Sequence, residues 1–240
     1  MRAGADSGWP PLGPRLAVVI PAYQAAATIA DVVTRTRRAV PEAAVYVVDD
    51  GSSDATGELA RAAGATVCAH PHNAGKGWAL GTGIARALAS GAEILVTVDA
   101  DGQHPPEDIP RLAAPVRAGE ADLVLGARAR TGAMPLGRRL SNWLSATLAS
   151  RIGGVAVPDA QTGFRAVSRR AAQTVQPDER RYDFETAFLL QALAGGWRVR
   201  SVPVATVYEG QASHFRPWGD TWRLARVFTR FGRAILFGAR

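Results

Sequence analysis

The sequence predicts an α/β protein in which a mostly parallel central sheet carries helices on both faces. Two observations favour this class. Short apolar runs of strand length alternate with segments of helical periodicity between Leu16 and Gly126, as expected of strands buried on both faces. Of the 240 residues, 47% are hydrophobic and 20% charged, so the chain can bury a large core. A single domain is therefore predicted over residues 1–215, with residues 1–14 as a flexible N-terminus.

The elements follow one another in a regular order. The predicted strands are 16–20, 45–48, 66–69, 94–98 and 122–126. The predicted helices cover 29–40, a segment from Ser53 or Asp54 to Gly64, 78–90 closed by Gly91, and a segment opened by Pro105 and Pro106. Beyond Gly126 the alternation fades into a helix-like stretch at 140–152, a glycine-rich loop and a strand-like stretch at 199–207.

Residues 216–240 form a separate segment with the pattern of a basic amphipathic helix. Four arginines recur at spacings of three and four, opposite an apolar stripe: Arg223, Arg226, Arg230 and Arg233 against Leu224, Phe228, Phe231 and Ile235. Such a helix is typical of peripheral contact with an anionic membrane. The same pattern also suits a helix that packs its apolar stripe on the domain.

Charge and cysteine content exclude several classes of protein. The formal net charge is +7, which favours anionic partners such as phosphates or anionic lipids. Cys68 is the only cysteine, so neither a cysteine metal cluster nor an internal disulfide can form, and a cytoplasmic location is expected. No apolar stretch reaches the ~20 residues that a spanning helix needs. No nucleic-acid partner is expected, because acids cluster where ligands of such a sheet bind.

Two acidic motifs follow predicted strands, and the carboxyl ends of parallel strands meet at the ligand-binding edge of a sheet. Asp99, Asp101 and Gln103 follow the fourth strand, and carboxylates with an amide oxygen favour a hard cation such as Mg²⁺ or Mn²⁺. Asp49 and Asp50 end the second strand, where their oxygens can accept hydrogen bonds from a nucleotide. The sequence therefore predicts a metal–diphosphate site beside a nucleotide site.

Lys76 is the only lysine and lies between two glycines in a loop that enters a helix. A compact point charge at this position suits a phosphate or the neighbouring acids. The loop matches neither the dinucleotide fingerprint nor the P-loop pattern.

These motifs occur in the order seen in inverting GT-A glycosyltransferases of family 2. The matching segments are Val18 to Tyr23, Val47 to Asp54, His72 to Gly77, Asp99 to Gln103, and Thr162 to Arg165. The chain most resembles the dolichyl- and polyprenyl-phosphate mannose and glucose synthases, from about Leu16 to Phe228. The resemblance implies a GT-A fold, a UDP- or GDP-hexose donor, a polyprenyl phosphate acceptor and Mg²⁺ or Mn²⁺ as cofactor.

The resemblance also implies roles for single residues. Donor-binding residues would be Pro21, Ala22, Tyr23, Asp49, Asp50, Lys76 and Asp99. The metal ligands would be Asp99, Asp101 and Gln103, and the acceptor phosphate would contact Arg128, Arg138, Arg139 and Ser141. Asp101, Arg128 and Arg139 would be catalytic. Relatives usually follow the tyrosine with Asn-Glu, whereas this chain has Gln24-Ala25, so one carboxylate contact to the nucleotide is missing.

Three other functions remain open from the residues. A hydroxyl acceptor would require a general base, for which Asp159 and Glu185 are the candidates, whereas a phosphate monoester is largely dianionic at neutral pH and needs none. A nucleotidyltransferase would also use an acidic metal site in an α/β domain. A non-enzymatic membrane or nucleic-acid binding module is supported by the C-terminal stripe alone.

Overall fold

The computed structural model describes residues 15–128, 136–175, 177 and 184–205, without the side chains of residues 136–141 and 144. Within these residues the strands are β1 Leu16–Ala22, β2 Ala44–Asp49, β3 Thr66–Ala69, β4 Ile94–Thr97, β5 Leu123–Arg128, β6 Arg165–Ser168 and β7 Val199–Val204. The helices are α1 Ile29–Ala39, α2 Thr56–Ala62, α3 Lys76–Ala89, α4 Ile109–Arg117, α5 Leu136–Gly153, α6 Arg169–Thr174 and α7 Phe184–Ala194. A short 3-10 turn, Pro106–Asp108, precedes α4.

The strands form one sheet in the order β3-β2-β1-β4-β6-β5-β7. Strand β6 is antiparallel to both β4 and β5, and every other neighbouring pair is parallel. Six strands therefore point in one direction, and their carboxyl ends form one edge, called here the carboxyl edge. The prediction of a mostly parallel sheet is confirmed.

Helices cover both faces of the sheet, because the buried strands alternate their side chains between two cores. On β1, Ala17 and Val19 pack in the core that contains α3, α5 and α7, whereas Val18 and Ile20 pack in the core that contains α1 and α4. The close packing of α3 on the sheet depends on Gly83, where an added Cβ would lie 2.2 Å from Val19 Cγ1. The prediction of helices on both faces is confirmed.

The predicted strands and helices up to Gly126 are present within a few residues of their expected bounds. Three elements were not foreseen: β6, α6 and α7. Strand β6 has only four residues and begins with the buried Arg165, so it lacks the apolar run that marks its neighbours. The predicted N-terminal and C-terminal segments, 1–14 and 216–240, lie outside the described residues.

Candidate active site

Most of the predicted site residues whose side chains are described follow strands that end at the carboxyl edge. Strands β1, β2, β4 and β5 end there at Ala22, Asp49, Thr97 and Arg128. Because β6 runs in the opposite direction, the loop that precedes it also reaches this edge. The sheet thus brings together acids from the first half of the chain and charged groups from the second.

Asp49 and Asp50 are neighbours in sequence but contact different partners. Asp49 Oδ1 accepts a hydrogen bond of 3.0 Å from the amide of Ser52. Asp50 accepts hydrogen bonds from the amides of Ala74 and Gly75, at 3.0 and 2.7 Å, and its side chain is almost fully buried. Asp50 therefore holds the glycine-rich loop, a role that sequence reasoning did not foresee.

The loop after β1 is fastened to the loop after β2. Gln24 adopts φ 52°, and its amide and side chain donate to the hydroxyls of Ser52 and Ser53, at 3.0 and 2.7 Å. The amide of Ala26 donates to Asp54 Oδ2 at 3.1 Å. Beside these ties Pro21 and Ala22 are buried, whereas Tyr23 is 44% exposed, so its ring is open to a ligand.

Lys76, Asp99 and Glu185 form a buried group, called here the Lys76 cluster. The Nζ atom of Lys76 lies 2.8 Å from Asp99 Oδ1 and 2.6 Å from Glu185 Oε1. Burial by itself would lower the pKa of Lys76, but the two carboxylates outweigh burial and raise it, so the ammonium stays charged. Glu185 Oε2 is buried without a hydrogen-bond partner among the described residues.

Gly163 makes the position of Asp99 possible. An added Cβ at this residue would lie 2.4 Å from Asp99 Oδ1, so any larger residue would displace the carboxylate. The hydroxyl of Thr97 donates to the Gly163 carbonyl at 2.6 Å and fixes the loop over β4. A glycine is therefore required at position 163 because the Asp99 carboxylate packs against it, which the sequence motif alone did not reveal.

The other two predicted metal ligands lie in a tight turn. Asp101 Oδ1 accepts from the amide of Gln103 at 3.0 Å, and Gly102 between them adopts φ 72°. Within the described part of the chain, no three His, Cys, Asp or Glu side chains are grouped to hold a metal ion. One carboxylate and one amide oxygen still fit Mg²⁺ or Mn²⁺ if substrate phosphate oxygens and water complete the coordination, as is common for Mg²⁺.

Arg128 is held in a bidentate pair. Its Nε and Nη2 donate to the two carboxylate oxygens of Asp159, at 2.6 and 3.1 Å, and both side chains are buried. Burial by itself would raise the pKa of Asp159, but the hydrogen bonds from Arg128 outweigh it and hold that pKa below its usual range. Asp159 is therefore an ionised partner of Arg128 and a weak proton acceptor.

With this geometry established, comparison with known proteins identifies the family. The model of the family described as "Glycosyl transferase family 2" matches residues 17–176, well over half of the chain. The chain belongs to glycosyl transferase family 2.

Relatives of this family 2 glycosyltransferase include two bacterial proteins named for lipid-linked mannose transfer. The present chain is 32% identical to an undecaprenyl-phosphate mannosyltransferase of Micrococcus luteus, over 80% of this chain and 84% of that protein. It is also 32% identical to a polyprenol monophosphomannose synthase of Mycolicibacterium smegmatis, over 79% of this chain and 76% of that protein.

A solved structure is also similar to this family 2 chain. It is a glucosyl-3-phosphoglycerate synthase from Mycobacterium tuberculosis, crystallised with Mn²⁺, UDP-glucose and phosphoglyceric acid. The TM-score is 0.73 at 26% identity, and the match covers 90% of this chain and 79% of that one. The predicted glycosyltransferase fold is confirmed.

Arg165 is a buried cation that the sequence motif contained but to which no role was given. Its guanidinium donates to the carbonyls of Ala160, Thr162 and Glu185, with distances from 2.5 to 2.9 Å. Burial lowers its pKa to about 10, so it remains charged at neutral pH. Arg165 joins the loop before β6 to the start of α7, and so places Glu185.

Three predicted acceptor residues, Arg138, Arg139 and Ser141, lie in the first turns of α5. Their side chains lie outside the described residues, so their contacts to an acceptor stay a prediction.

Proposed function

We propose that this enzyme transfers a hexose from a UDP- or GDP-hexose to polyprenyl phosphate, with the help of Mg²⁺ or Mn²⁺. The observation that carries the acceptor class is the pairing of both candidate bases with cations: Asp159 with Arg128, and Glu185 with Lys76. A carboxylate held by a cation is a poor proton acceptor, whereas a dianionic phosphate monoester attacks without a base. The names of the two bacterial relatives support the same acceptor.

The nucleotide is assigned to the loops after β1 and β2. Tyr23 offers an exposed ring for the base, and it directly follows Pro21 and Ala22, of which Ala22 is paired with Asp49 in the sheet. Asp50 supports this site indirectly, since its carboxylate holds the amides of Ala74 and Gly75. The hydrogen bonds from Gln24 to Ser52 and Ser53 fix the loop after β1 at the position where relatives have Asn-Glu.

The diphosphate and metal are assigned to Asp101 and Gln103, whereas Asp99, which was also predicted to be a metal ligand, is paired with Lys76. A bound divalent ion would neutralise the charge that develops on the leaving nucleoside diphosphate. The protein's part is to hold Asp101 in the turn closed by the Gln103 amide and to keep Asp99 fixed by Lys76. The complex of the structural neighbour with Mn²⁺ and UDP-glucose supports this cofactor class.

The hexose is assigned to the space beside the Lys76 cluster. Glu185 Oε2 is a buried acceptor without a hydrogen-bond partner among the described residues, which is costly unless a ligand supplies a donor. A sugar hydroxyl is such a donor. Glu185→Gln should therefore raise the KM for the nucleotide sugar while leaving the affinity for the nucleoside diphosphate unchanged.

The acceptor phosphate is assigned to Arg128, Arg138, Arg139 and Ser141. Asp159 holds the planar guanidinium of Arg128 by its Nε edge, which fixes the direction of its remaining N–H groups. A single in-line displacement at the anomeric carbon would invert its configuration. No proton transfer by the enzyme is required.

Transfer to an organic-soluble product tests the proposal. The protein is incubated with Mn²⁺, a short-chain polyprenyl phosphate and labelled UDP-glucose or GDP-mannose in separate tubes, with the unphosphorylated polyprenol as the matched control acceptor. Label in the organic phase with the phosphate acceptor alone is expected, from one of the two donors. Nucleotide-sugar binding without label in any tube would overturn the assigned acceptor.

A hydroxyl acceptor is a second candidate, because Oε2 of Glu185, which has no hydrogen-bond partner among the described residues, can receive the proton of an attacking hydroxyl there. Under this alternative, Glu185→Gln would abolish kcat while nucleotide-sugar binding survives. Under the first proposal, the same variant weakens sugar binding and keeps a measurable kcat with saturating donor.

We also propose peripheral attachment at the cytoplasmic face of a membrane through the basic segment 216–240. Among the described helices, none combines the length and apolarity needed to cross a bilayer. Strand β7 ends at the carboxyl edge, where Asp108 accepts a hydrogen bond from the amide of Ala205, so the last described residue before this segment lies on the side of the site. Truncation after Pro217 should weaken flotation with anionic liposomes, whereas unchanged flotation would contradict the proposal.

A further inference from the structure

His70 lies at the start of the loop that connects β3 to α3. Its backbone amide donates to the carbonyl of Asp49 at 2.8 Å, which continues the pairing of β3 with β2 by one residue. The loop ends at Gly75, which adopts φ 106° and is followed directly by Lys76, the first residue of α3. The path of this short loop thus decides where Lys76 is placed.

The ring of His70 joins the two ends of this connection. Its Nδ1 lies 2.7 Å from Asp50 Oδ1, and its Nε2 lies 3.0 Å from the hydroxyl of Thr82 on α3. The neutral tautomer with hydrogen on Nδ1 satisfies both contacts, since Nε2 then accepts from the threonine. Only 12% of the side chain is exposed, so the ring acts within the protein.

Asp50 is the shared partner of the ring and the loop. The same carboxylate accepts from His70, from the amide of Ala74 and from the amide of Gly75. Without the ring, the Asp50 side chain would lose the contact that fixes its orientation, and the loop amides would lose a rigid acceptor. Lys76, one residue further on, positions Asp99 and Glu185.

We infer that His70 is a positioning residue for the donor: through Asp50 and Thr82 it fixes the loop 70–75, and thereby the Lys76 cluster, in the conformation that binds the nucleotide sugar. The inference rests on the proposed function only in assigning the Lys76 cluster to the donor. It assigns His70 neither proton transfer nor contact with substrate.

Binding of UDP-glucose and of GDP-mannose, each measured by calorimetry in the presence of Mn²⁺, tests the inference without requiring turnover. His70→Ala should raise the Kd of the bound donor about tenfold and leave the KM for the lipid phosphate within about twofold of wild type. His70→Asn keeps an N–H near the position of Nδ1 and should recover most of the affinity, whereas His70→Gln should recover less.

The neighbouring His72 supplies the matched control, since its side chain is exposed. His72→Ala should bind the donor as the wild type does. Thr82→Val should raise the Kd less than His70→Ala, and the double variant should bind no worse than His70→Ala alone, because both changes break one chain of contacts.

Two results would overturn the inference. One is wild-type donor affinity in His70→Ala. The other is equal loss in His70→Ala and His70→Asn, accompanied by equal losses of acceptor affinity and of the urea midpoint, since this pattern indicates general destabilisation. A wild-type protein that binds the donor but transfers no sugar to lipid phosphate would contradict the proposed function. The donor affinities of the His70 variants would still test the inference in that case.

Discussion

The two sides of the carboxyl edge hold their charged groups in different ways. In the loops after β1, β2 and β3, carboxylates accept hydrogen bonds from backbone amides, as Asp49, Asp50 and Asp54 do. On the side of β5, β6 and α7, the charged groups pair with one another across the fold, as Arg128 does with Asp159. The first side uses many small contacts between neighbouring loops, and the second uses a few buried ion pairs.

This difference predicts how each side responds to substitution. A loop fixed by several hydrogen bonds of about 1 kcal/mol each loses little stability with any one of them. A buried ion pair that loses one partner leaves a charge without compensation, which costs about 3–5 kcal/mol. Variants on the two sides should therefore separate effects on activity from effects on stability.

The largest expected effect is on activity and is expected at Asp101, which follows β4 between the two sides. Asp101→Ala should lower kcat/KM at least about 1000-fold, or about 4 kcal/mol of transition-state stabilisation, because the diphosphate and metal lose their carboxylate. The free energy of unfolding should change by less than about 1 kcal/mol, since Asp101 is only half-buried. Steady-state kinetics and urea unfolding measure the two quantities.

Glu107→Ala is the control for that variant, because Glu107 is an exposed carboxylate in the same connection and pairs with Arg35. It should keep wild-type kinetics. Normal turnover in Asp101→Ala would contradict the assignment of Asp101 to the metal site.

The next effect is on stability, on the side of the ion pairs. Asp159→Asn should lower the free energy of unfolding by about 3 kcal/mol, because the buried Arg128 loses its counter-charge. Glu120→Gln is the matched variant at the surface, where Glu120 and its partner Arg200 are 51% and 55% exposed, and should cost less than about 1 kcal/mol. Equal losses in the two variants, measured by urea unfolding, would contradict the distinction between buried and exposed pairs.

The pH dependence of stability sharpens the same prediction. The pKa of Asp159 is lower in the folded protein than its unfolded value of about 4, so its contribution is present above pH ~4 and is lost as the pH falls through the folded pKa. The stability difference between wild type and Asp159→Asn should therefore be constant from pH 7 to pH 5 and shrink below pH ~4. A difference that stays constant down to pH 3 would show that the carboxylate charge is not what stabilises the pair.

The smallest effect is expected in the loops held by backbone amides. Asp54→Ala removes the acceptor for the amides of Ala26 and Thr56 and for the Thr56 hydroxyl, and should cost about 2 kcal/mol of stability, with a rise of about threefold in the KM for the donor. Asp31→Ala, which breaks only an i,i+4 pair with Arg35 on α1, should change neither quantity measurably. A loss above about 3 kcal/mol in Asp54→Ala would mean that the two sides of the edge do not differ as described.

Much of the fold could be predicted because its signals are local. A few neighbouring residues are enough to recognise the apolar runs of β1, β2 and β4 and the glycine that ends α2. The alternation of strands and helices along the chain then implies that the strands pair in parallel. Strand β6 could not be predicted in the same way, since its four residues begin with an arginine whose burial depends on the carbonyls of two other segments. Helix α7 is also buried nearly all round, so it lacks the amphipathic stripe by which α1 is recognised.

The sequence by itself determined the family, the parallel sheet and the clustering of acids at its carboxyl edge, because strand ends and short acidic turns are set by neighbouring residues. The tertiary structure decided which charges meet. Arg128 and Asp159 are 31 residues apart, and Lys76 reaches Glu185 from another helix. Their pairing depends on the antiparallel β6, which returns its preceding loop to the edge, and on α7 packing beside α3 and α5. Contacts between distant segments are fixed by the packing of the whole sheet, and no local pattern encodes them.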